Sequence, residues 1–276
     1  MIIDYKPELI HEHTAMGCVS EFLSDACKAL VKTTKDINDF DLPIGSILQC
    51  LANSHKLDYI RLVKHDNSKH KKIIQEYRGT FNRKHKNAIA AYQSASEKSM
   101  IDGLKPHQFI NGYLNSPNQL TKAQTTKSQT LITNLDESFT LAATKLQLQV
   151  GQRLYRGVSM SEADLNEYID AYENDTSLLI KGYMSTSLSE SIAKSFAALS
   201  YLAKLRADIS IADDLTDFVI VLTNRHNNLP FIVPDALRTP AHNQGQMEVL
   251  LPHGLNIKPT HFELTEFNAK IYVDIV

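Results

Sequence analysis

The stretch "QVGQRLYRGV", Gln149 to Val158, divides the chain into two textures and so decides the fold. Before it, to about residue 148, apolar residues recur at helical spacing. Glycine and proline there sit at plausible breaks: Pro43 with Gly45, Gly103 with Pro106, and Pro117. After it come short β-rich runs: "RLYRGV", "LLIKGYMSTSL", "DFVIVLTN", "PFIVP", "MEVLLP", "LNIKPTHFELTEF" and "AKIYVDIV". Two helical stretches interrupt them, "SEADLNEYIDAYEN" and "SESIAKSFAALSYLAKLRA". Helices first and strands late, with no regular alternation, predict an α+β fold rather than a doubly wound sheet. The segment "TKAQTTKSQT", residues 121–130, is polar enough for a loop or the start of a solvent-facing helix.

A chain of 276 residues, 43% hydrophobic, can bury one large core, with or without a helical extension. Its net charge of −2 gives no bulk attraction to nucleic acid, and no nucleic-acid partner is expected. Cys18, Cys27 and Cys50 are odd in number and lack CxxC spacing, which points to a reducing working compartment. No apolar run reaches the length of a membrane span, and "MIIDYKPELIHEH" lacks the layout of a cleavable signal peptide. From Lys56 to Lys86, ten Lys or Arg stand against three Asp or Glu. That basic stretch is either a solvated helix face or a dock for an anionic membrane or an acidic partner.

Three separated stretches carry chemistry. In "LYRG", Arg156 shares a strand face with Leu154 and Val158, so a guanidinium stands on an apolar side and requires an anion, either an internal carboxylate or a bound one. In "GYMSTSLSES", Ser185 and Ser187 share one strand face and Thr186 takes the other, with N-cap candidates following. In "HNQGQMEVLLPHG", Gln246 and Glu248 stand side by side on one face while Met247, Val249 and Leu251 point the other way. A carboxylate beside an apolar strand interior must be hydrogen-bonded, paired or used. Two weaker patterns come to nothing. "SIAK" has the S-x-x-K spacing of serine acyl-transfer enzymes without their companion motifs, and "HEH" at His11 to His13 fits no zinc spacing, so no metal is expected.

Taken in order, "LYRG", "YMSTSL" and "QMEVLLP" resemble the mono-ADP-ribosyltransferase family, in its Arg / Ser-Thr-Ser / Gln-x-Glu class of bacterial toxins and effectors. Upstream, "AIAAYQSAS" followed by "FINGYL" is similar to that family's paired helical motifs. The resemblance covers about residues 80–276. It implies a split β-sandwich with flanking helices for that domain, preceded by a mostly helical extension over residues 1–79 that targets or docks. It further implies NAD as co-substrate. Glu248 would hold the ribose 2′-hydroxyl, Ser185 would fix Glu248, and Arg156 would bind the pyrophosphate or ribose side. Gly157, Thr186 and Ser187 would line the cofactor cleft, and Phe196, unless it is core, would stack on nicotinamide.

Gln246, an amide where the arginine-modifying branch carries a second glutamate, implies Asn, Gln or Thr as acceptor in place of Arg. The loop "PDALRTPAHNQG", residues 234–245, occupies the place of the family's substrate-recognition loop but offers Leu237 or His242 where Rho-modifying members carry an aromatic ring. The expected partner is a host protein, a small GTPase or another cytosolic protein, met by a monomer that reaches the host cytosol by a route other than a cleavable leader. Two alternatives stay open: an NAD glycohydrolase with water as acceptor, and an inactive binding module on the same fold.

Overall fold

The computed structural model describes residues 75–94, 96–144, 147–207, 215–237, 248–265 and 268–276. The three cysteines, the "HEH" stretch, most of the expected extension, Gln246 and His242 lie outside the described residues.

The helical half forms one layer. Helix α1 spans Arg83–Gln93, α2 Pro106–Asn115 and α3 Lys122–Ala143. Each start is written locally. Asn82 accepts the amides of Lys84 and His85, Pro106 occupies the first turn of α2, and Thr121 with Gln124 forms a reciprocal capping box. The polar stretch 121–130 opens α3 and does not wholly face solvent. Gln124 and Ser128 lie on the same buried stripe as Leu131, Leu135 and Phe139, and they donate to the carbonyls of Ile101 and Phe109. Buried polar groups that find such partners cost little, so the face packs although its hydrophobicity is low. Tyr77 and Phe81 are buried in the same core, and the Tyr77 hydroxyl accepts the Val233 amide at 2.9 Å, so the core reaches back at least to Tyr77.

The second half builds a seven-stranded sheet in the order β3-β8-β9-β5-β2-β4-β7. The strands are β2 Arg153–Ser161, β3 Leu178–Ile180, β4 Met184–Ser187, β5 Leu215–Asn224, β7 Glu248–Leu251, β8 Leu255–Thr265 and β9 Asn268–Ile275. A separate two-stranded sheet joins β1 Gln147–Leu148 to β6 Leu229–Pro230. Among the described strands only β5 and β9 pair in parallel. Helix α4, Glu162–Glu173, follows β2, and helix α5, Glu190–Ala207, follows β4. The α+β expectation is met, and the split has a physical location. β2 pairs with β5 over nine residues, but with β4 at the single pair Tyr155 and Ser187. β4 and β7 are therefore joined to the rest of the sheet through that one pair.

Two expected strands differ. "LLIKGYMSTSL" breaks into β3 and β4 at Lys181 to Tyr183, and of "PFIVP" only the first residue, Pro230, lies in a strand, the end of β6. Its prolines remove ladder donors, and only Ile232 makes an isolated bridge, to Leu250.

Candidate active site

The loop ahead of β4 is gripped by the helical layer. Asn111 of α2 accepts the Tyr183 amide at 3.0 Å and donates to the Tyr183 carbonyl at 3.2 Å. The Tyr92 hydroxyl of α1 donates to that same carbonyl at 3.1 Å. Gly182 admits this grip, because a Cβ there would come within 2.9 Å of the Asn111 side chain. Tyr183 is itself wedged, stacked on Phe139 and donating to Asp136 at 2.5 Å. The helical motif pair seen in the sequence therefore sets where the S-T-S strand begins.

On β4 and β7 the ladder places Ser187 opposite Glu248 and Ser185 opposite Leu250. Ser185 is thus the diagonal neighbour of Glu248 on one face, within side-chain reach. Its hydroxyl donates to Glu248 Oε1 at 2.7 Å. The other carboxylate oxygen receives the Gln93 amide from α1 at 2.5 Å. Glu248 is only 6% exposed, and burial pushes its carboxyl above the usual range; the donors Ser185 and Gln93 and the charge of Arg156 pull the other way without cancelling it. Arg156 crosses the seam from β2 and donates to the Ser185 carbonyl at 2.9 Å. Its charge also reaches His107 of α2, which is held below the ordinary histidine value by burial first and by Lys105 and Arg156 after it. A cavity of about 300 Å³ opens on the Arg156 side of the seam, lined by Tyr168, Tyr183, Met184 and Ile220 among others. Glu248 does not line it.

The structure thus brings together Arg156, Ser185 and Glu248, which lie far apart in sequence. It gives the other expected residues different surroundings. Thr186 is buried and donates to the Val249 carbonyl at 2.6 Å, and the Ser187 hydroxyl accepts the Ser189 amide at the entry to α5. Those two hydroxyls hold the strand and the helix start. The space left by the absent side chain of Gly157 is filled by α5, since an ideal Cβ would stand 1.7 Å from the Ala193 carbonyl oxygen. Phe196 on α5 is 38% exposed, so it is not core, and it has no part in the hydrogen bonds around Glu248. Leu237, one of two stand-ins for a recognition ring, is buried at 8% exposure and is not displayed. Within the basic stretch, Arg78 donates to the Ala236 carbonyl, and Lys84 pairs with Glu137 at 2.5 Å, so part of its charge is used inside the domain. The reading of the sequence missed Gln93. It lies on the buried stripe of α1 with His85, Ile89 and Tyr92, and a polar side chain on that stripe was the available signal.

Fold and site together define a mixed helix-and-sheet domain with a buried, doubly hydrogen-bonded carboxylate beside an arginine at the junction of β2 and β4. Residues 67–276 match the family model described as ADP-ribosyltransferase exoenzyme, about three quarters of the chain, and the chain belongs to that family. It is an NAD-dependent ADP-ribosyltransferase of the bacterial toxin type.

Among solved structures it is similar to HopU1 of Pseudomonas syringae at 12% identity and a TM-score of 0.50, over 70% of this chain and 76% of that one. It is also similar to the Vis toxin of Vibrio splendidus, at 16% identity and a TM-score of 0.43 over 77% and 87%. A third is an ADP-ribosyltransferase of Clostridium botulinum, at 15% identity and a TM-score of 0.43 over 74% and 93%. At these identities the likeness concerns the fold. No curated protein sequence matches.

Proposed function

We propose that this chain transfers ADP-ribose from NAD to an Asn, Gln or Thr side chain of a host cytosolic protein. The observation that carries the reading is Glu248, buried and fixed through both oxygens. When the C–N bond between ribose and nicotinamide breaks, the electron pair leaves with the nicotinamide and positive charge develops on the sugar. A carboxylate set beneath the ribose and holding its 2′-hydroxyl stabilises that charge as it forms. Ser185 fixes the carboxylate, and Arg156 offers its remaining donors to the pyrophosphate. The acceptor atom then bonds to the anomeric carbon that nicotinamide has left and releases its proton to solvent.

Gln246 sets the acceptor in this reading, because an amide hydrogen-bonds a substrate side chain but cannot take a proton from a guanidinium. The part of residues 1–79 that precedes the domain core at Tyr77 acts as the extension that targets or docks, and the remaining basic residues of 56–86 meet an anionic surface or acidic protein.

The test is incubation of the full chain with a tagged NAD analogue and a eukaryotic lysate, followed by mass spectrometry of labelled protein. Label on Asn, Gln or Thr is expected, moving toward Arg in Gln246→Glu, with NAD cleavage preserved in that variant. Label on Arg in the parent chain would overturn the acceptor reading, and nicotinamide release without any labelled protein would make the chain a glycohydrolase. Arg156→Ala is expected to raise KM for NAD by roughly 10-fold or more, since a charge-assisted bond to phosphate is lost, with a smaller change in kcat. Steady-state kinetics check this, and an unchanged KM would remove Arg156 from the cofactor site.

A further inference from the structure

We propose that Gln93 is a positioning residue for the reaction, fixing the plane of the Glu248 carboxylate from the helical layer; this rests on the reading of Glu248 given above. Ser185 holds one oxygen only, and a carboxylate tied at one oxygen can still turn about its terminal bond. Gln93 ties the second, at 2.5 Å, from an element 155 residues away in sequence. The tie closes a ring of contacts. Tyr92, the neighbour of Gln93, fixes the end of α1 to the Tyr183 carbonyl just before β4. β4 is laddered to β7 from Met184 with Leu251 to Ser187 with Glu248. Gln93 then returns from α1 to Glu248 on β7. The carboxylate is thereby referenced to both layers of the domain, which is what precise placement under a reacting sugar needs. Each carboxylate oxygen keeps a second acceptor site, so the two donors do not use up the capacity to accept a ribose hydroxyl. Both donors also favour the charged form that the reaction uses, against the effect of burial.

Gln93→Leu in the full chain, assayed by nicotinamide release, is expected to lose roughly 10–100-fold in kcat, the worth of one hydrogen bond to a charged group. KM for NAD should stay within about threefold of the parent value. The acidic limb of the rate profile should move to higher pH, because Glu248 loses a donor to its charged form. Gln93→Glu should move that limb further, since two adjacent carboxyl groups share a proton, and should recover activity as pH rises. A simple structural tie would lower the melting temperature and leave the limb in place. An unshifted limb in both variants, or a parental kcat in Gln93→Leu, overturns the proposal. Glu248→Gln run alongside separates the two ideas: if it stays active, the reading of Glu248 fails and this inference with it. If it is inactive while Gln93→Leu behaves as the parent, only the role of Gln93 fails.

Discussion

Replacing Glu248 with glutamine should cut nicotinamide release by about 100-fold or more while the melting temperature stays level or rises. The loss follows from electrostatics: one preorganised group aimed at developing charge typically contributes that much, and glutamine keeps the shape without the charge. The gain or neutrality in stability follows from burial. Glu248 is nearly fully enclosed and its carboxyl is raised by desolvation, so the folded state holds its proton more tightly than the unfolded chain does. A group raised in this way contributes stability fully below its unfolded pKa and loses it as pH rises through the folded one. The melting temperature of the glutamine variant should therefore gain on the parent as pH increases. Activity of the parent runs opposite in sign, failing as pH falls through the same raised pKa, because the carboxylate is the working form. Thermal melts and rate profiles over one pH series check both halves. Parental turnover in the variant would remove Glu248 from the chemistry.

The strands that carry the site were legible because their signals are short and local. "LYRG", "STS" and "QMEVLLP" show alternation that puts Arg156, Ser185 and Glu248 on definite faces, and the observed β2, β4 and β7 fall where those runs stand. What remained hidden depends on contacts between layers. Nothing near Gln93 announces a carboxylate 155 residues on, although its place on an otherwise buried stripe marks it as needing a partner. The break between β3 and β4 arises from the grip of Asn111 on Tyr183, which no pattern within "LLIKGYMSTSL" encodes. Glycine at 157 marks a close approach to its backbone, and the sequence does not show that a helix makes one. The backbone of α5 occupies the Cβ side of Gly157.

That packing makes Gly157→Ala the substitution with the largest expected effect on stability. A methyl group there would meet the Ala193 carbonyl oxygen at 1.7 Å, the Ala197 amide nitrogen at 2.5 Å and the Ala193 carbonyl carbon at 2.7 Å. All three are backbone atoms, so no rotamer change relieves the clash, and the helix itself must move. It is poorly placed to do so. Near its start Glu190 pairs with Lys194 and with Lys270 of β9, and toward its end Lys204 donates to the Ser159 carbonyl of β2 at 2.6 Å. Between those ties, Ala193 packs with Val219 and Val221 against the sheet. Lifting the middle of α5 would open that small cluster and bend β2 beside Arg156. Overpacking of this kind costs about 1–3 kcal/mol and sometimes more. For a domain of this size that is a fall in melting temperature of roughly 2–12 °C. Gly79→Ala supplies the contrast. Its Cβ would meet nothing within 4 Å, and alanine is the better residue in the helical segment over residues 75–80. That variant should melt level with the parent or slightly above it. If calorimetry placed Gly157→Ala beside the parent instead, α5 would not be seated on β2 as described.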